Sequence, residues 1–65
     1  MTWAIVYARP DGWWVAADGF VSDIDAINAG DENDWGGVDW EVIRSDSLKG
    51  MLCEEAYEDF LEEEE

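Results

Sequence analysis

Residues 2–17 read TWAIVYARPDGWWVAA, and this stretch decides the fold. Segments 2–8 and 13–17 are rich in β-branched and aromatic residues, which favour strands. The intervening RPDG, residues 9–12, combines a proline that presets φ with a glycine that tolerates positive φ, as a tight turn requires. The stretch therefore predicts a β-hairpin, after which the pair Asp18 and Gly19 is expected to break the strand pattern.

The segment after the hairpin predicts a short helix. Ser22 is a favourable N-cap, because its side-chain oxygen can accept a hydrogen bond from the first turn. We expect the helix over 23–29, with Ile24 and Ile27 on its inner face. Gly30 is expected to end it, since glycine readily adopts the left-handed conformation found just past helix ends.

The second half of the chain predicts a loop, a strand and a longer helix. Residues 31–37 (DENDWGG) read as a polar loop, and 38–44 (VDWEVIR) alternate as a half-buried strand does. From Asp46 or Ser47, a helix is expected to run to about Leu61 or beyond. At 100° per residue, its apolar arc collects Leu52, Cys53, Ala56, Tyr57 and Phe60. The opposite arc collects acids, namely Glu54, Glu55, Glu58 and Glu62, with Asp59 at the border.

The element order is therefore β-β-α-β-α. We predict the α+β fold class, with a three-stranded, mainly antiparallel sheet and two helices packed on one face. Sixty-five residues are enough for a single compact domain, 1–65, and the run of like charge at 62–65 predicts a frayed end.

The charge is the most unusual property of the chain. Eighteen acids face three bases, which gives a net charge of -15. A small domain more often carries a net charge of roughly 2 to 8 in magnitude. With 48% apolar residues and five tryptophans, the composition favours a folded domain over a disordered acidic tail.

The residues offer little for catalysis. The chain has no histidine, the commonest general base and metal ligand. Cys53 lies on the apolar arc and is interpreted as core packing. Asp31, Asn33 and Gly36 match three positions of a calcium loop, but Val42 replaces the bidentate glutamate at its twelfth position. We therefore predict no enzyme, no cofactor and no bound metal.

The acids are the candidate partner-binding surface. Like charges at i, i+4 on a helix destabilise it by roughly 0.2–0.5 kcal/mol per pair. Acids near a helix C-terminus also oppose its dipole. A purely solvating, halophilic surface is the alternative interpretation. The candidates are Glu54, Glu55, Glu58, Asp59 and Glu62 on the last helix, with Asp31, Glu32 and Asp34 in the loop and Trp35 as its exposed anchor.

Dense negative charge on a rigid scaffold imitates a nucleic acid. Duplex DNA carries about one charge per 1.7 Å of axis. Acids four residues apart on a helix are separated by about 6 Å along its axis. Arginine and lysine in a DNA-binding groove would meet such carboxylates much as they meet phosphates.

In size, acidity and α+β pattern, from the opening MTWAIVYARPDGWW to the ending CEEAYEDFLEEEE, the chain resembles the phage-encoded anti-CRISPR proteins. It is similar in particular to the small acidic inhibitors of type I-C systems. The resemblance implies inhibition by DNA mimicry, in which a viral protein occupies the PAM-reading large subunit of the surveillance complex (Cascade) and excludes target DNA. It supplies no binding residues, so the candidates above come from the helix and loop patterns.

Two other functions remain open at this point. One is a DNA mimic directed at another DNA-binding protein, such as a restriction enzyme, a glycosylase or a nucleoid protein. The other is a module that binds a carbohydrate or small ligand through its tryptophans. Because no stretch is long enough to span a bilayer and only one cysteine is present, we expect a cytoplasmic protein. The resemblance to phage inhibitors implies that this is the cytoplasm of a bacterial host cell. The protein is expected to be a monomer or weak dimer that binds neither nucleic acid nor membrane.

Overall fold

A computed structural model describes residues 2–63 of the chain. Its elements are, in order, β1 (Trp3–Arg9), β2 (Gly12–Phe20), α1 (Asp23–Glu32), β3 (Trp40–Arg44), a 3-10 turn (Ser45–Ser47), α2 (Leu48–Met51) and α3 (Glu54–Glu63). The strands form one sheet in the order β2-β1-β3, and both pairs are antiparallel. The predicted α+β class and the order β-β-α-β-α are confirmed, with the last helix divided in two.

The hairpin forms where the sequence predicts it, but β2 is longer than expected. Arg9 pairs with Gly12 across the turn, and the register stays regular as far as the pair Val6 and Val15. Two register shifts follow before the ladder ends at Trp3 and Phe20. The expected break at Asp18 and Gly19 is therefore wrong, because a positive φ of 84° at Gly19 lets the strand bulge and continue.

The helices cover both faces of the sheet, and the prediction that they share one face is wrong. On β1, Ala4 and Val6 belong to one core cluster with residues of α2 and α3. Ile5 lies between them and is only 3% exposed, and it borders a cavity together with Ala29 of α1. Because successive strand residues point to opposite faces, burial of all three means that both faces are covered.

Helix α1 begins as predicted and ends later than predicted. The Ser22 hydroxyl accepts a hydrogen bond from the backbone N–H of Asp25 at 3.2 Å, which confirms the N-cap. The helix continues through Gly30 to Glu32, so Gly30 is not its stop. Gly30 is buried, and a Cβ there would overlap the Trp40 ring. This glycine serves close packing of α1 on β3.

The inner face of α1 is made of small residues and not of isoleucines. Ala26 and Gly30 are its buried residues. Ile24 and Ile27, which are expected on the inner face, are both exposed. Small residues allow the helix to approach the sheet closely, and this approach leaves the larger side chains outside.

The predicted single helix at the end of the chain is interrupted. Leu52 has an extended backbone, with ψ of 150°, and separates the four-residue α2 from α3. Neither the 3-10 turn nor α2 has a side-chain hydrogen bond at its N-terminus, so the cap expected from Asp46 or Ser47 is not formed. The break turns Leu52 into the core, where it joins Leu48 and Ala56.

Helix α3 continues to Glu63, so residues 62 and 63 of the segment predicted to fray are helical, while 64 and 65 lie outside the described part of the chain. Within residues 2–63, no helix combines the length and the apolar character that crossing a bilayer requires.

Candidate functional site

Helix α3 separates apolar and acidic residues cleanly. Ala56 is buried, and Tyr57 and Phe60 are half-buried against the core. The opposite side of α3 carries five exposed acids: Glu54, Glu55, Glu58, Asp59 and Glu62. We call these five the α3 acidic face. The predicted division of the helix into two arcs is thus present from residue 54 onward.

The break at Leu52 changes the electrostatics of this face. Glu54 and Glu55 lie in the first turn of α3, where the helix dipole favours negative charge. Their position is therefore stabilising for the helix, contrary to the expectation that the acids crowd its C-terminal part. Glu58 and Glu62 lie farther along, and the last turn contains no basic residue to offset them. Glu58 and Glu62 are therefore the acids that the helix carries at a folding cost.

Little positive charge is available to neutralise the surface. Every aspartate and glutamate side chain described between residues 2 and 62 is exposed. Within that range there is one ion pair, Arg9 with Asp11 at 3.8 Å. Arg9 also lies 4.4 Å from the centre of the Trp14 ring, and it lines a shallow depression that Asp59 of α3 shares. The α3 acidic face itself contains no lysine or arginine.

The second predicted group of acids lies elsewhere in the fold. Asp31 and Glu32 belong to the last turn of α1, whereas the sequence predicted that they lie in a loop. Asp34 is in the following loop, where its carboxylate accepts a hydrogen bond from the Gly36 N–H at 3.0 Å. Since α1 and α3 cover opposite faces of the sheet, these acids do not form one continuous surface with the α3 acidic face.

Trp35 is not the exposed anchor that its polar loop suggests. It is half-buried, and its indole N–H donates to the Gly30 carbonyl at 2.8 Å. Its ring stacks on the Trp40 ring, with 5.6 Å between the two centroids. The centroid of the Tyr7 ring also lies 6.1 Å from that of Trp35. Trp35 therefore holds the loop against the sheet, and it is not the exposed partner-binding residue that the sequence predicts.

The remaining tryptophans are also half-buried, so no described indole is presented as a free stacking platform. Beside Trp35 there is an open depression of about 260 Å³. It is lined by Ile5, Ala16, Ala17, Ala29, Asn33 and Trp35. No group of three or more potential metal ligands occurs among the described residues. Cys53 is half-buried and packs against the core, as predicted.

One surface feature escaped the sequence analysis. Because Ile24 and Ile27 face outward, they form an exposed apolar stripe with Val21 on the outer side of α1. The signal for it was the spacing of Ala26, Ala29 and Gly30, three small residues on one side of the helix, which marks the face that can approach a sheet most closely.

No protein-family model, curated protein sequence or solved structure matches this chain.

Proposed function

We propose that this protein is an acidic DNA mimic, an anti-CRISPR inhibitor that occupies the PAM and target-DNA-binding site of a type I-C surveillance complex. It would act in the cytoplasm of a bacterial host as a monomer or weak dimer. The observation that carries the proposal is the α3 acidic face, five exposed carboxylates with no interleaved base. The resemblance of the whole chain to small acidic type I-C inhibitors supplies the identity of the target.

The spacing of the carboxylates supports mimicry of a duplex. Residues 54 to 62 span about 12 Å of helix axis, so five acids give about one charge per 2.4 Å. Duplex DNA has about one charge per 1.7 Å of axis. A groove lined by arginine and lysine would meet a comparable charge density, but on a surface that presents no nucleobases.

The alternative to partner binding is that the acids only keep the protein surface hydrated. Glu54 and Glu55 fit that alternative equally well, since acids in a first turn stabilise a helix. Glu58 and Glu62 do not, because they repel each other at i, i+4 and because Glu62 stands in the last turn, where the dipole disfavours negative charge. Glu58 and Glu62 therefore give the strongest support for a partner-binding role, and substitutions at these positions test it.

Competition with DNA tests the proposal directly. The protein, labelled at its amino terminus, is bound to purified type I-C surveillance complex, and its fluorescence anisotropy is followed while unlabelled duplex is added. A duplex with the PAM and the target sequence should displace the protein, and a duplex of equal length without a PAM should do so much less well. Retention of the label at saturating target duplex would place the binding site away from the DNA path.

The same titration separates the other readings of the acidic surface. If the protein does not bind the surveillance complex at all, the assignment of the target is wrong, and a different DNA-binding protein becomes the candidate.

The alternative function, a carbohydrate-binding module, loses support because the tryptophans are half-buried. The indole N–H of Trp35 also makes its hydrogen bond within the protein.

A further inference from the structure

The outer side of α1 carries an apolar stripe that the fold does not use. Val21, Ile24 and Ile27 are 78%, 63% and 41% exposed. They are spaced at i, i+3 and i+6, so the two isoleucines lie on adjacent turns and Val21 stands just before the N-cap. Single exposed apolar residues are common, but here two lie at helical i, i+3 spacing and a third stands next to the N-cap.

Packing does not require these side chains. The inner face of α1 is formed by Ala26 and Gly30, and the close contact of Gly30 with Trp40 fixes how the helix lies on the sheet. Ile24, 63% exposed, could therefore be polar with little loss to the core, while Ile27 keeps more of its surface covered by the fold. Their water-exposed apolar area is an unfavourable feature of the isolated molecule, and covering it would be favourable.

The surroundings of the stripe indicate what would cover it. Helix α1 contains four acids and no lysine or arginine. Asp31 follows Ile27 by four residues, and so it extends the stripe on the same side of the helix. Asp23 and Asp25 flank its start, and all three carboxylates are exposed. The patch is thus apolar at its centre and negative at its edge.

A second copy of the chain fits this surface poorly. A two-fold contact places the same patch on both sides, so the acids around the stripe would face acids. Each copy also carries a net charge of -15. A partner with basic residues around an apolar centre would instead satisfy both parts of the surface.

We propose that Val21, Ile24 and Ile27, the α1 stripe, form a second protein-binding surface that takes a basic amphipathic segment of a partner protein. The apolar side of that segment would cover the stripe, and its lysines or arginines would meet Asp23, Asp25 and Asp31. The stripe comprises Ile24 and Ile27, which are about 4.5 Å apart along the helix axis, and Val21, which precedes the N-cap. It lies on the face of the sheet opposite α3, so it does not depend on the DNA-mimic proposal.

A designed probe tests the inference without knowledge of the natural partner. The probe is a synthetic helical peptide with leucines on one side and lysines on the other, and its control is a scrambled peptide of identical composition and charge. Binding of each to the full chain is measured by calorimetry, and the contact is mapped from backbone amide shifts of the ¹⁵N-labelled protein. The variants are Ile24→Ser with Ile27→Ser, and, as the matched control, Leu61→Ser. Leu61 is 47% exposed and lies on α3.

The amphipathic peptide should bind more tightly than the scrambled one, with shifts concentrated in residues 21–31. The double variant should lose at least about tenfold in affinity, since it removes two partly exposed isoleucines from the contact. Leu61→Ser should leave the affinity unchanged. Thermal melts of the variants verify that they are folded.

Equal affinity for the two peptides, or shifts confined to α3, would overturn the inference, because binding would then follow charge alone. Sedimentation velocity of the wild-type protein without peptide supplies a separate check. A dimer that the double variant abolishes would show that a second copy covers the stripe and would overturn the assignment of a basic partner.

Discussion

Replacing Glu58 with lysine should raise the stability of the protein and, at the same time, weaken the inhibition of the surveillance complex that we propose for it. Glu58 is exposed and has glutamates four residues away on both sides, Glu54 and Glu62. Glu58 therefore takes part in two like-charged i, i+4 pairs, each destabilising by roughly 0.2–0.5 kcal/mol. Lysine at this position converts both into attractive pairs of similar size.

The two changes together should add about 1 kcal/mol to the free energy of unfolding. For a domain of this size, that corresponds to a rise of about 4–8 °C in the melting temperature. If Glu58 is central to the interface, reversing its charge should cost at least about 2 kcal/mol of binding, or roughly thirtyfold in the inhibitory concentration. Stability is read from thermal unfolding, and inhibition from target-DNA binding by the surveillance complex.

Asp18→Lys is the matched control. Asp18 is exposed on β2 and lies outside the candidate residues, and its replacement changes the net charge by the same amount. It should leave inhibition within about threefold of wild type, since a remote charge acts mainly through the association rate. A Glu58→Lys protein that is more stable but inhibits fully would remove α3 from the interface. A loss of stability would instead show that repulsion between Glu58 and its neighbouring glutamates does not destabilise α3.

Three further predictions concern the fold. Gly30→Ala should destabilise the protein by about 1–3 kcal/mol in chemical denaturation, because the new Cβ would overlap the Trp40 ring. Gly50 has open space around it, so Gly50→Ala should be neutral or stabilising. Equal effects of the two substitutions would refute the close-packing role of Gly30. Ser22→Ala should cost about 1 kcal/mol in the same assay by removing the N-cap of α1, and Ser22→Asp should restore most of it. The melting temperature should rise between 0.1 and 1 M NaCl, where the Debye length falls from about 10 to about 3 Å, and a flat or falling profile would contradict the unrelieved repulsion described above.

Features governed by neighbours in sequence could be predicted from the sequence. The RPDG turn, the Ser22 N-cap and the order of elements depend on local chemistry, and all three are present. The exposure of the acids was equally predictable, since carboxylates are almost never buried without a partner. These features place the α3 acidic face correctly from residue 54 onward.

Features governed by tertiary contacts were not predictable from the same patterns. Gly30 has the local signature of a helix stop, yet its neighbour in space is the Trp40 ring. Trp35 lies in a polar segment, yet it stacks on the same ring. In both cases a contact between α1, its loop and β3 overrides the local preference.

Two errors had signals in the sequence. The run AIVYA, residues 4–8, is continuously apolar where a strand covered on one face would alternate, and continuous runs are typical of strands buried on both faces. Met51 falls among the acids when the last helix is drawn without interruption. In the structure it packs against the core, because the break at Leu52 resets the helical phase. A residue out of phase thus indicated the end of α2.

The most direct test of the proposed mimicry is target-DNA binding by surveillance complex already saturated with this protein. Labelled duplex carrying the PAM is added to the purified, preloaded complex, and bound DNA is measured together with retention of the protein. The proposal predicts mutually exclusive binding, with little DNA bound while the protein remains and with inhibition that weakens as duplex concentration rises. A stable ternary complex that binds DNA as well as the free complex does would contradict DNA mimicry and would place any inhibition at the later step of nuclease recruitment.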